Sequence, residues 1–95
     1  MKISVVAAAR EDARPPDEVL VVASLADRLG YGEVWVGEGP TWDAIALGTA
    51  IGLATRQATI TLGPVPVSVR DPATIARGAA SVAAFTRRPV GVALG

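Results

Sequence analysis

"ITLGPVPVSVRDP", residues 60–72, decides how the chain is to be read. It opens as a buried strand, Ile60-Thr61-Leu62, and then meets Pro64 and Pro66. Proline donates no ladder hydrogen bond and tolerates few backbone angles, so the strand is expected to stop near Leu62. The stretch closes on Asp71-Pro72, a capping carboxylate followed by proline at the first helical position. A strand, a stiff turn and a capped helix form one βα unit.

The same unit recurs on both sides. Upstream, Ile3–Ala7 is a short apolar run, and Pro15 and Pro16 precede a helix with Asp17 and Glu18 in its first turn. Val19, Val22, Ala23, Ala26 and Leu29 recur at helical spacing, Glu18, Asp27 and Arg28 fall elsewhere, and Gly30 stands where a terminator belongs. Glu33–Val36 is the second strand, and Thr41 suits the cap of a second helix over 42–54. That helix has hardly a charge after Asp43, so most of its faces must be covered. The third strand is Thr59–Leu62. In the third helix Ile75, Ala76, Ala79, Ala80 and Ala83 form the inward stripe, with Arg77 and Ser81 outside. Pro89 precedes a fourth strand, Val90–Leu94. The order is βαβαβαβ with short strands apolar throughout, which predicts an α/β fold with a parallel sheet and right-handed crossovers.

Composition narrows the function. The 95 residues contain no cysteine and no histidine, with nine basic and nine acidic side chains. Zinc ligation by His or Cys and a histidine-based triad within this chain are therefore excluded. A net charge of zero with no basic cluster argues against nucleic acid as a partner. No apolar run approaches the roughly 18 residues of a membrane span, and the absence of cysteine fits a cytoplasmic protein. Half the residues are apolar but only 4% are aromatic, so the core is built from Ala, Val, Leu and Ile.

Four consecutive stretches carry a family resemblance: "LADRLGYGEVWVGEG" (25–39), "DAIALGTAIGLAT" (43–55), "ITLGPVPVSVRDPATIARGAASVAAF" (60–85) and "RRPVGVALG" (87–95). In this order they resemble the luciferase-like flavin and deazaflavin oxidoreductases, which include bacterial luciferase, alkane-sulfonate monooxygenases and coenzyme F420-dependent dehydrogenases. The resemblance implies a (β/α)8 TIM barrel, which needs about 250 residues, so the chain is expected to be its N-terminal half. It implies coenzyme F420 or FMN as cofactor, a small organic substrate, and hydride transfer or monooxygenation. It places Ala7 at the cofactor and a backbone bulge, often with a cis peptide, at Gly63, Pro64 and Val65, against the flat ring. It places a catalytic acid at Glu38. A histidine frequently follows that acid in the family; this sequence has Gly39. Half a barrel leaves two sheet edges open, so a homodimer or a complementing barrel half is the implied partner.

Each of these residues has a plainer reading. Two prolines can simply stiffen a loop, and Glu38 can be a solvated loop glutamate. Trp35 and Trp42 can stack on a ring or fill a core. Arg70 can meet an anionic cofactor tail, but a surface ion pair or a cap is the safer expectation; Arg87–Arg88 reads as a solvated turn. Two other functions stay open: a non-catalytic half-barrel that pairs with itself or another chain, and a small doubly wound nucleotide-binding domain. The latter is weakened because Trp42 stands where the "GEGPTW" fingerprint requires a third glycine.

Overall fold

The computed structural model describes residues 4–7, 16–39 and 41–95. In chain order these form β1 (Ser4–Val6), α1 (Asp17–Arg28), β2 (Glu33–Val36), α2 (Ala44–Ala54), β3 (Thr59–Val65), α3 (Pro72–Thr86) and β4 (Val90–Leu94). Ile3, expected to open the first strand, and Pro15 lie outside the described residues. All strand pairs are parallel, in the spatial order β1-β2-β3-β4. Spatial order equals chain order, and α1 packs on α2 and α2 on α3 along one face of the sheet. This is the arrangement of half a TIM barrel. A doubly wound domain reverses direction from a central strand and covers both faces, so that alternative is corrected by the strand order.

The sheet has a covered face and an open one. Val34, Val36, Ile60 and Leu62 point to the helices and are buried. On the other face Glu33 binds across three strands, accepting from the Ser4 hydroxyl at 2.7 Å and the Thr61 hydroxyl at 2.6 Å. Val6 on that face is 67% exposed. Strands apolar throughout anticipate cover on both faces; among the described residues only the helix face receives it.

Several local expectations are corrected. β3 does not stop at Leu62. Its register with β4 shifts between Leu62 and Val65, and pairing resumes at Val65↔Leu94, so Pro64 sits within a β-bulge and Pro66 follows the end of the strand. In α1, Val19, Ala23 and Ala26 are buried, but Val22 and Leu29 are exposed and Asp27 is buried in their place. Gly30, at φ 90°, ends α1 as expected, with its N–H bonded to the Asp27 carbonyl and the Tyr31 N–H to that of Ala26. The cap of α2 is Asp43, which accepts from the Ala46 N–H at 2.8 Å, and not Thr41. In α3 Asp71 caps as expected, but the buried residues are Ile75, Val82 and Thr86, while Ala76 and Ala80 face solvent. Alanine has too little apolar area to choose a face, so the larger side chains set the helix's rotation.

Arg88 is the largest departure. It is only 8% exposed, not solvated. Its guanidinium donates to the Thr55 hydroxyl and the Ala58 carbonyl. Arg87, at φ 55°, ends α3 in the left-handed conformation and turns the next side chain inward beneath the sheet. Close by, the Asp27 carboxylate accepts the backbone N–H groups of Arg56, Gln57 and Ala58 at 2.8–2.9 Å. Burial pushes the Asp27 carboxyl up, but the three N–H donors and the Arg88 charge hold it below its ordinary value. This network ties α1, the α2–β3 turn and β4 together at the amino ends of the strands.

None of the helices among the described residues is long and apolar enough to cross a membrane. No cluster of His, Cys, Asp and Glu suited to a metal ion occurs among those residues either.

Candidate functional site

The carboxyl ends of the four strands finish in register. Ala7 donates its N–H to the Trp35 carbonyl at 2.9 Å, Glu38 to that of Pro64 at 3.4 Å, and Gly95 to that of Val65 at 3.1 Å. The tips therefore present Ala7, Gly37, Gly63-Pro64 and Gly95 side by side. Three of these positions lack a side chain and a fourth carries only a methyl group.

Pro64 rises from this row and is exposed, while the peptide before it, Gly63–Pro64, is cis. A Cβ added at Gly37 would lie 3.7 Å from the Pro64 ring, and one at Gly95 would lie 2.8 Å from it. Pro64 is thus seated between two glycines. A Cβ at Gly63 would stand 2.6 Å from that of Ala93 and 3.0 Å from its carbonyl oxygen, so the bulge can close only with glycine there. The product is a low shelf of proline ring and bare backbone. Val65 contributes backbone alone, because its side chain is in the hydrophobic core. Ala7 is buried and borders the shelf at the tip of β1.

Beside the shelf opens a cleft of about 540 Å³ lined by Glu38, Trp42, Asp43, Pro66, Val69 and Arg70. Glu38 lies just past β2, with one carboxylate oxygen accepting the Ala44 N–H at 2.7 Å and the other the Arg70 Nε–H. Arg70 also donates to the Asp43 carboxylate. The hydrogen bond that Arg70 donates to Glu38, and then the one to Asp43, raises the Arg70 pKa, so the guanidinium stays charged throughout the accessible pH range. Trp42 packs against the core and lines both this cleft and a smaller apolar one beside Leu20 and Leu47.

The structure brings Ala7, Glu38, Gly63 and Pro64 to one end of the sheet. Arg70 forms the ion pair that its position suggested, and it adds Asp43, which sequence reasoning missed as part of this cluster. The available signal was the order Glu38, Asp43, Arg70, each residue on a segment that follows a strand. Asp27 and Arg88 are at the opposite end and take no part. Their signal was weaker: Asp27 continues the i, i+4 row of Val19 and Ala23.

Parallel βα units with helices on one side and small residues gathered at the strand tips define a barrel-type α/β protein whose site belongs at the carboxyl ends. The model of the luciferase-like monooxygenase family matches residues 1–87, and the chain belongs to that family. Its members are oxidoreductases that use flavin or F420 cofactors. No curated protein matches the chain.

Proposed function

We propose that this chain forms the N-terminal half of a barrel oxidoreductase that holds the tricyclic ring of FMN or coenzyme F420 against the Pro64 shelf. One observation carries the reading: across the tips of β2, β3 and β4 an exposed proline ring, Pro64, lies between two glycines, Gly37 and Gly95. A flat aromatic tricycle needs such a level apolar backing, and branched side chains at Gly37 or Gly95 would occupy its place. Gly63, Pro64 and the Val65 backbone would support the ring, with Ala7 at its border. The bound ring would supply or accept the hydride.

The chain's own residues orient and exclude. The cleft beside the shelf admits a small organic substrate between Trp42 and Val69. Glu38 faces that cleft as the candidate catalytic group, and as the partner of Arg70 it acts through a carboxylate that accepts hydrogen bonds. With no histidine in the 95 residues, any imidazole that the reaction requires comes from other βα units. Phosphate-binding loops belong to those units as well.

Titration of the complete barrel with FMN and with F420, followed by ring fluorescence, tests this reading. Binding of one ring is expected, and Gly37→Val should weaken it by about tenfold or more while leaving thermal unfolding nearly unchanged, because its branches project onto the shelf. Failure of both rings to bind overturns the reading. That result would favour a non-catalytic half-barrel closed by a second copy or another chain, which the absent histidine also fits.

A further inference from the structure

We infer that Arg70 is a positioning residue: it latches the segment after β2 to the loop after β3 and so sets Glu38 and the width of the cleft. The assignment of Glu38 to the substrate side rests on the function proposed above; the latch itself rests on geometry alone. Arg70 lies five residues past Val65, in the loop that leaves the shelf. Its guanidinium reaches two carboxylates on a different segment, Glu38 at one end and the α2 cap Asp43 at the other. The Arg70 side chain is 18% exposed and that of Glu38 11%, so this pair is sheltered from solvent. The Glu38 N–H also donates to the Pro64 carbonyl between the same two segments, but at a longer 3.4 Å and without charge. Charge-assisted bonds of a planar guanidinium to two acceptors also fix direction, which a single ammonium does less well.

The Ala44 N–H reports on the latch directly. It donates to the Glu38 oxygen not taken by Arg70, and Ala44 is 1% exposed, so its exchange with solvent requires Glu38 to leave. The Ala58 N–H, held by Asp27 at the other end of the sheet, serves as internal control. In the complete protein, Arg70→Ala should speed Ala44 exchange by about tenfold or more and change Ala58 by less than about twofold. Arg70→Lys should return Ala44 to within about threefold of wild type. Asp43→Asn removes one arm without emptying the site and should give a smaller increase confined to the same region. Unchanged Ala44 exchange in Arg70→Ala, or an equal rise at Ala58, overturns the latch. Loss of ring binding in the wild-type protein would sink the proposed function but leave these exchange rates readable.

Discussion

Asp27 shows how much one side chain can organise in a small protein. A helix of mostly apolar character turns a carboxylate inward, where it satisfies three successive N–H groups at the entry to β3. Asp27→Ala leaves those donors unpaired in a buried turn and should destabilise the fold by about 3 kcal/mol in chemical denaturation. The acid dependence has a definite sign. The folded pKa lies below the unfolded value, so the unfolded chain takes up the proton more readily. Stabilisation from Asp27 is complete above the ordinary Asp value of about 4 and is lost as pH falls through the depressed folded value. Asp27→Asn should therefore flatten the acid limb of a stability–pH curve. Some acid sensitivity should persist, since the Thr74 N–H also holds the exposed Asp71 below its ordinary value. Asp71 and Gly30 were legible because a cap and a helix stop act on adjacent residues. Arg88 was not, because its acceptors at Thr55 and Ala58 lie about 30 positions away and only folding brings them near.

At the scale of elements, α2 is the informative case. Its lack of charge predicted cover on most faces, and it lies between α1, α3 and the sheet. Two glycines make the approach possible and should behave differently when filled. A methyl group at Gly52 would stand 2.4 Å from the Thr86 Cγ2 and 2.7 Å from its Cβ. Thr86 is stiff, buried and hydrogen-bonded to the Val82 carbonyl, so it cannot yield. At Gly48 the methyl would meet the tip of Leu62, which has other rotamers. Alanine gains about 1 kcal/mol of helix propensity at either site. Against this, overpacking costs about 1–3 kcal/mol. Gly52→Ala should lower the thermal midpoint, and Gly48→Ala should leave it nearly unchanged. β3 was read short for the opposite reason. Proline rules describe a regular ladder, and the bulge absorbs the missing donor of Pro64 while the strand continues to Val65, with Pro66 just beyond it.

Across the whole molecule, the open surfaces lie where further βα units would attach. Among the described residues β1 and β4 each have one unpaired edge in the sheet order, and an apolar groove between α3 and β4 is lined by Pro72, Ile75, Ala76, Val92 and Leu94. The 95-residue polypeptide expressed by itself should associate through this side. Light scattering should give a mass above 9.7 kDa at micromolar concentration, and Leu94→Lys should bring it down toward the monomer. A monomer mass at every concentration for the unsubstituted chain would show that the edge stays unpaired. The amino-acid sequence by itself determined the order of the elements, the parallel sheet and the βα repeat, because periodicity, caps and turn residues act over a few positions. Its series of motifs also resembled the family to which the chain belongs. Only the tertiary structure decided which helix faces are buried, where Asp27 and Arg88 go, and that Arg70 spans Glu38 and Asp43. Those outcomes depend on neighbours some 30 residues away in sequence, and no local pattern encodes the distance between them.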